Sequence, residues 1–279
     1  MSELRLRDDK VIAYDDLGTG EPLLLIHGFT GSRRAWRKDL IAELSTHYRV
    51  IVPDLIGHGQ SQAEHAPARF ALHEVVTDLC ELLTACRVSR ATWIGYSMGG
   101  RIALGAAALE PTRVKALVLE GASPGLSDTD ARTTRRTADD ELARALETEG
   151  IERFVDRWMS QPLFATQRRL PPECLREQRN LRLANDARSL AACLRGLGTG
   201  SQPSFWKQLG TIEAPALLIA GAQDAKFVTI AHEMQKALPD ARVVEISDAG
   251  HTTSLEQPAS YLAAIHPFVT DPRARRRAE

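Results

Sequence analysis

The chain has 279 residues, 43% of them hydrophobic, and a formal net charge of -1 at pH 7. This length and composition predict a sizeable buried core, while the near-neutral charge offers no global field to attract nucleic acid or an anionic membrane. The sequence has no leader peptide pattern and no apolar run near about 18 residues, which predicts a cytoplasmic protein without membrane insertion. Its four cysteines lack metal-ligand spacing, so we expect free thiols. The motifs of the sequence imply neither a metal nor an organic cofactor.

Strand and helix patterns alternate along the first part of the chain. Residues 3–15 have the alternation of a β-hairpin, residues 22–26 and 50–54 are short apolar strands, and the segment around Leu40 is helical in spacing. Residues 72–86 again place apolar side chains at helical intervals. This order favours a parallel sheet with crossover helices.

A nucleophile-elbow pattern follows the next strand. The apolar run 91–94 leads into Gly95-Tyr96-Ser97-Met98-Gly99, and an alanine-rich helix (102–109) and a strand (114–120) come after it. A sharp strand-to-helix turn of this kind needs glycine on both sides of the serine, because side chains there would crowd the hydroxyl. The pattern predicts that Ser97 is a catalytic nucleophile or base.

The composition changes after the glycine-containing segment 121–125. Up to about residue 205 the chain is rich in arginine and acidic residues and lacks β-branched runs, which is typical of amphipathic helices. We interpret residues 125–205 as a helical cap inserted into a core of residues 1–124 and 206–270. The basic tail, 271–279, is predicted to be disordered.

The last part of the chain supplies partners for the serine. A hydroxyl becomes reactive when an imidazole takes its proton and a carboxylate orients that imidazole. Asp224 directly follows an apolar strand, and His251 follows the next one, in the chain order that an elbow serine predicts. Asp240 and Asp248 are competing acids, but neither directly follows an apolar strand.

The loop His27-Gly28-Phe29-Thr30-Gly31-Ser32 follows the strand 22–26. In an elbow architecture, one backbone N–H of this loop joins the N–H of the residue after the serine to form an oxyanion hole. The predicted donors are the backbone N–H groups of Phe29 and Met98. His27 is interpreted as a structural ring packed behind the loop.

The order of these motifs resembles the α/β-hydrolase superfamily over almost the whole chain. The resemblance implies a mostly parallel, twisted sheet flanked by helices, with an inserted helical cap. The strings His27–Ser32, Gly95–Arg101 and Gly198–Trp206 further resemble the 2-succinyl-6-hydroxy-2,4-cyclohexadiene-1-carboxylate synthases of menaquinone biosynthesis. That resemblance implies a lyase that eliminates pyruvate from 2-succinyl-5-enolpyruvyl-6-hydroxy-3-cyclohexene-1-carboxylate. The serine–histidine pair would remove a proton, and the oxyanion hole would hold the enolate oxygen.

A substrate with several carboxylates requires cationic side chains in the pocket. Arg101 lies one helical turn after Ser97 and is the first candidate, because a guanidinium can bind a carboxylate at two points. The resemblance adds four further substrate-binding residues: Arg135, Arg182, Tyr96 and Trp158. The expected partner is therefore a small polycarboxylate, and the oligomeric state stays open.

Two other functions are compatible with these residues. The same triad fits a serine hydrolase that acts on a carboxylated ester, or a C–C hydrolase of a vinylogous diketone, each of which needs a productive water. A non-catalytic ligand receptor has little need for a complete triad. Dehalogenases and epoxide hydrolases use an aspartate nucleophile, and Ser97 argues against both.

Overall fold

The computed structural model describes residues 1–62 and 65–273. Its centre is a sheet with the strand order β1-β2-β4-β3-β5-β6-β7-β8. The strands are β1 (Ser2–Arg5), β2 (Val11–Leu17), β3 (Pro22–Ile26), β4 (Arg49–Pro53), β5 (Ala91–Tyr96), β6 (Val114–Glu120), β7 (Ala216–Gly221) and β8 (Ala241–Ile246).

The sheet is antiparallel at one edge and parallel elsewhere. β1 pairs with β2 and β2 with β4 in antiparallel register, whereas β4, β3, β5, β6, β7 and β8 pair in parallel. The predicted hairpin and the predicted parallel sheet are both confirmed. The inner strands read as continuous apolar runs because helices cover both of their faces.

Helices cover both faces of the sheet, and some of them lie in the insertion between β6 and β7. They are α1 (Lys38–His47), α2 (Leu72–Ala85), α3 (Met98–Leu109), α4 (Thr129–Met159), α5 (Pro172–Leu183), α6 (Ala187–Leu197), α7 (Ala225–Ala237), α8 (Thr253–Glu256) and α9 (Pro258–Thr270). Apolar residues of α2, α3 and α7 pack on one face of the sheet, and those of α1 and α9 pack on the other.

Between β6 and β7 the chain leaves the sheet and forms α4, α5 and α6. These helices share a small apolar core, which includes Leu146, Phe154 and Leu190. The two linkers run side by side, since the N–H of Phe205 donates to Pro124 O (2.8 Å) and the indole of Trp206 donates to Gly125 O (3.0 Å). This adjacency supports the predicted cap, whose boundaries at residues 125 and 205 lie in these linkers.

Within the described ranges, no helix has the length and apolar character needed to cross a membrane. The predicted tail lies partly beyond them, because residues 274–279 are outside the described residues. Of the cysteines, Cys86 and Cys193 are buried, Cys80 and Cys174 are partly exposed, and all four are free thiols.

Candidate active site

The turn between β5 and α3 has the geometry of a nucleophile elbow. Ser97 has φ 51° and ψ -108°, a strained backbone conformation for a residue with a side chain. A side chain at Gly95 would collide with the backbone of Gly99, and one at Gly99 would collide with Ile26 O. The N–H of Ser97 donates to Glu120 O on β6 at 2.7 Å. Packing of the turn against neighbouring strands therefore holds Ser97 at the carboxyl end of β5.

Ser97, His251 and Asp224 form a continuous hydrogen-bonded chain. His251 Nε2 lies 3.2 Å from Ser97 Oγ, and His251 Nδ1 lies 2.8 Å from Asp224 Oδ2. With the ring proton on Nδ1, Nε2 accepts the hydroxyl proton. The His251 ring is buried and packs against Phe227, with ring centroids 4.6 Å apart. The three residues come from loops after β5, β7 and β8, which are parallel strands whose carboxyl ends meet at one edge.

The competing acids lie elsewhere. Asp248 is in a turn with φ 56° before the His251 loop, and its backbone oxygen accepts from Gln257. Asp240 precedes β8, and its backbone oxygen accepts from the N–H of Ala216. Asp224 is therefore the carboxylate that reaches the imidazole.

The loop after β3 forms a four-residue turn beside Ser97. Gly31 N–H donates to Gly28 O at 3.0 Å, which places Phe29 and Thr30 in the two central positions. No hydrogen bond among the described residues uses the Phe29 N–H. Met98 is the first residue of α3, so its N–H has no acceptor within the helix. Both N–H groups can therefore donate to a substrate oxygen, as the predicted oxyanion hole requires.

His27 lies behind this loop. Its ring is buried, Nε2 accepts from the N–H of Leu55 (3.0 Å), and Nδ1 lies 2.8 Å from Gly28 O. Burial lowers the pKa of His27 to about 4, which leaves the ring neutral near pH 7. This ring connects the loops after β3 and β4, as expected of a structural histidine.

A cavity of about 720 Å³ lies between the elbow and α4–α6. Ser97, His251, Phe29 and Met98 line its floor. Its other walls are mainly apolar side chains of the cap and of α7, with few charged groups among them. A mostly apolar cavity with a small number of polar groups fits an organic small molecule.

Arg101 is the buried cation of this cavity. Its side chain is 9% exposed, and one guanidinium nitrogen donates to Leu197 O (2.9 Å) and to Gln202 Oε1. Within the described part of the chain, no carboxylate forms an ion pair with it. Burial, reinforced by the charge of Arg135, lowers the pKa of Arg101 to about 10, and the guanidinium stays charged at neutral pH. A buried charge without a counter-charge is costly, and an anionic ligand would offset that cost.

Arg135 lines the same cavity from α4. It is 41% exposed, and its Nε donates to Asp139 Oδ1 at 2.7 Å. Asp139 is buried and also accepts from the Gly200 N–H at 3.2 Å. The neighbouring Arg132 and Arg136 of α4 do not line the cavity.

Arg182, the other arginine that the resemblance implies for substrate binding, does not line the main cavity. It lines a small neighbouring cavity that shares only Phe29 and Tyr96 with the main one. Its guanidinium donates to Gln178 O (2.7 Å) and Gln178 Oε1 (3.0 Å) on its own helix. The orientation of α5 across the loop after β3 is the reason for this position, and a contact with substrate stays a prediction.

Tyr96 and Trp158 both line the main cavity. The Tyr96 hydroxyl is 2.7 Å from Thr252 Oγ1, while its ring lies 5.5 Å from the His251 ring centroid. The Trp158 ring packs edge-on against Phe29 at 5.3 Å and stacks on Phe154 at 5.7 Å. Both aromatic rings therefore shape the cavity and also belong to the packing around it.

Sequence reasoning missed several polar residues beside the site. Gln202 lies in a string that carried the resemblance, but its contact with Arg101 is visible only in three dimensions. Glu120 ends β6 and accepts from Thr253 Oγ1 and Ser254 N, both at 2.8 Å, next to the His251 loop. The sequence signal for Glu120 is a carboxylate at the end of an apolar strand.

Over residues 1–62 and 65–273, no group of three or more His, Cys, Asp or Glu side chains could hold a metal ion.

Comparisons with known proteins agree with this geometry. A family model described as the alpha/beta hydrolase fold matches residues 21–258. The 2-succinyl-6-hydroxy-2,4-cyclohexadiene-1-carboxylate synthase of Klebsiella pneumoniae is 33% identical over 254 residues, covering 91% of this chain and 96% of the relative. A Bacillus subtilis protein provisionally named as the same synthase is 38% identical over 259 residues, covering 93% of this chain and 94% of the relative.

The structural comparison points the same way. The solved structure of MenH from S. aureus superposes with a TM-score of 0.89 at 33% sequence identity, covering 94% of this chain and 99% of that one. The chain belongs to the α/β-hydrolase-fold family and, within it, to the family of 2-succinyl-6-hydroxy-2,4-cyclohexadiene-1-carboxylate synthases.

Proposed function

We propose that this protein is a carbon–oxygen lyase that converts 2-succinyl-5-enolpyruvyl-6-hydroxy-3-cyclohexene-1-carboxylate into 2-succinyl-6-hydroxy-2,4-cyclohexadiene-1-carboxylate and pyruvate. The observation that carries the proposal is Arg101, a buried guanidinium without an acidic protein partner beside a complete Ser97–His251–Asp224 chain. Arginine in this position favours an acidic substrate over a neutral ester.

The first step is removal of the proton on the ring carbon next to the succinyl ketone. Ser97 Oγ, deprotonated by His251, takes this proton, and Asp224 stabilises the imidazolium that results. The electron pair of the broken C–H bond moves onto the ketone oxygen and forms an enolate. The backbone N–H groups of Phe29 and Met98 donate to that oxygen as its charge develops.

The second step breaks the carbon–oxygen bond across the ring. The enolate reforms the ketone, its electron pair shifts the ring double bond, and the bond to the enolpyruvyl oxygen breaks. The leaving group departs as the enolate of pyruvate and becomes pyruvate when a proton returns to its terminal carbon. The ring product holds two conjugated double bonds, and no water is consumed.

The carboxylates of the substrate bind through the arginines of the cavity. Arg101 is held by Leu197 O and Gln202, and Arg135 is held by Asp139. Each guanidinium is thus oriented before substrate arrives, which reduces the entropy lost on binding. We assign Arg101 and Arg135 to substrate carboxylates, with Tyr96 and Trp158 forming the apolar walls.

The test is pyruvate release together with the growth of diene absorbance on freshly generated substrate. We expect wild type to form both products in equal amounts, well above the spontaneous background. Ser97→Ala should lower the enzymatic rate by roughly 100- to 10,000-fold, because it removes the base. A wild-type rate equal to the background would reject the lyase and direct the same assay to carboxylated esters and vinylogous diketones.

Two acid-to-amide variants make a matched pair for the triad. Asp224→Asn should lose most of the activity, since the asparagine no longer holds the imidazole in the required tautomer. Asp248→Asn, in the neighbouring turn and without contact to the imidazole, should retain it. The opposite pattern would transfer the role of the acid to Asp248.

A further inference from the structure

Asn185 lies where the cap meets two loops of the core. It follows the end of α5, and its side chain is 5% exposed. Its Oδ1 accepts the N–H of Gly59 at 2.9 Å, in the loop after β4. Its Nδ2 donates to Thr30 O at 2.9 Å, in the loop after β3. One amide of the cap therefore bridges the two core loops.

The orientation of this amide follows from its partners. A backbone N–H requires an acceptor and a backbone carbonyl requires a donor, so Oδ1 faces Gly59 and Nδ2 faces Thr30. Nδ2 also lies 3.1 Å from Arg182 O and 3.3 Å from Leu181 O, at the end of α5. The contacts to the core loops are the shorter ones.

Thr30 needs this support because its backbone is strained. It occupies the third position of the turn Gly28–Gly31 with φ 65°, a position that turns of this kind normally reserve for glycine or asparagine. A β-branched residue there persists only when the surroundings hold it in place. Thr30 is fully buried, and within the described chain its backbone oxygen accepts a hydrogen bond only from Asn185.

The same turn carries Phe29, whose N–H is the proposed oxyanion donor. The Phe29 N–H belongs to the peptide unit Gly28–Phe29, within the turn that the Gly31 N–H closes on Gly28 O. Because this turn is closed, rotation of the Thr30 backbone would also reorient the peptide unit that carries the Phe29 N–H. From these contacts we propose that Asn185 is a positioning residue, which holds the turn Gly28–Gly31 in its strained form and so aims the Phe29 N–H at the enolate oxygen. This inference rests on the proposed lyase function and adds a residue to its machinery.

Asn185 also connects the cap to the loops beside the active site. Gly59, its second partner, belongs to a loop that Asp54 ties to the turn region, through hydrogen bonds from the N–H groups of Gln60 (2.9 Å) and Arg33 (2.6 Å). Asn185 therefore joins the cap to the hydrogen-bonded loops that surround the turn Gly28–Gly31.

Two variants test the proposal. Asn185→Leu keeps the size of the side chain but makes no hydrogen bond, and we expect kcat to fall roughly 10- to 100-fold with KM changed less than about threefold. Asn185→Asp keeps the acceptor for Gly59 and loses the donor for Thr30. Its kcat relative to wild type should rise as the pH falls, since a protonated carboxyl can again donate to Thr30 O.

The control is Asp186→Ala, one residue along. Asp186 accepts from the Ser189 N–H at the start of α6 and lies 3.2 Å from His65 Nε2, near the end of the loop after β4. It contacts neither Thr30 nor Gly59. This variant should weaken the cap without changing kcat. All rates are measured at a temperature well below each variant's Tm, so that loss of folded protein does not enter.

The outcomes separate the two hypotheses. If wild type shows no serine-dependent elimination, the proposed function fails. If wild type is active but Asn185→Leu keeps kcat within about twofold, or loses activity only through KM, the positioning role is overturned. A pH-independent ratio of kcat for Asn185→Asp to kcat for wild type would also overturn it.

Discussion

At the scale of single residues, the site holds one buried charge, that of Arg101, without an ion pair to a protein carboxylate in the described part of the chain. Arg101 is oriented by a carbonyl and an amide oxygen and not by a carboxylate. An ion pair with a protein carboxylate would be more stable in the empty enzyme, but it would compete with the substrate for the guanidinium. Neutral partners orient the side chain and leave its charge available.

The Arg101 prediction follows from this arrangement. Arg101→Met, which keeps most of the apolar stem, should lower kcat/KM by roughly 10- to 100-fold, the effect of losing hydrogen bonds to a charged group. Most of the loss should appear in KM, measured by steady-state pyruvate release. Arg136→Met is the control, because Arg136 is exposed and does not line the cavity. Equal kcat/KM for Arg101→Met and wild type would contradict the anchoring role.

At the scale of elements, α4 contains a kink that its sequence makes possible. It runs from Thr129 to Met159, but Gly150 within it has φ 82° and ψ 172°, a conformation that is essentially reserved for glycine. The glycine allows the second part of α4 to turn, so that Phe154 and Val155 reach the apolar core of the cap. The kink thereby helps to place Trp158 in the wall of the cavity.

We expect Gly150→Ala to destabilise the protein by about 1–3 kcal/mol, the cost of an unfavourable backbone conformation. A clash with another part of the protein is not the cause, because no described atom outside the adjacent helix backbone lies within 4 Å of the added methyl group. Urea unfolding measures the change. Gly210→Ala is the matched control, since Gly210 has an ordinary φ and its nearest atom, Ala237 O, lies 3.8 Å away. Similar unfolding free energies for the two variants would disprove strain at Gly150.

At the scale of the whole molecule, the stability depends on pH because folding shifts the pKa values of buried groups in opposite directions. Burial lowers the pKa of His27 from 6.5 to about 4 and that of His58 from 6.5 to about 3. Burial raises the pKa of Glu120 from 4.5 to about 7. The histidines stabilise the fold above pH 6.5, and this contribution is lost as the pH falls toward their folded pKa values. Glu120 stabilises it below pH 4.5, and this is lost as the pH rises through about 7.

Between pH 4.5 and 6.5 these effects partly cancel. The unfolded chain binds two extra protons at the histidines, while the folded chain binds one extra proton at Glu120. The free energy of unfolding should therefore rise with pH by about 1.4 kcal/mol per pH unit, the effect of one net proton. Glu120→Gln removes the opposing proton, and the slope should roughly double. Denaturant unfolding at several pH values measures both slopes, and identical slopes would contradict the buried, protonated state of Glu120.

Much of the architecture was predictable from the sequence, because local patterns carry it. The strands predicted at residues 22–26 and 114–120 agree with the structure residue for residue. Continuous apolar runs bounded by turn residues are strong signals for buried parallel strands. The elbow was equally visible, since the Gly-x-Ser-x-Gly pattern is a local signal, although the backbone that excludes a side chain at Gly99 belongs to the distant Ile26.

The arrangement of the cap was not predictable in the same way. Arg182, which the resemblance assigns to substrate binding, lies in a neighbouring cavity, because the direction of α5 is set by packing against core loops distant in sequence. The contacts of Asn185 with Thr30 and Gly59 join residues more than a hundred positions apart, and no periodic sequence pattern predicts them.

The sequence by itself determined the strand and helix pattern, the elbow serine and the order of its acid and base. Local turn residues and apolar periodicity specify each of these features. Only the tertiary structure decided which arginines share the cavity and which residues hold the oxyanion turn. Those depend on how helices far apart in the chain pack together, and the geometry of long-range packing is absent from any short stretch of sequence.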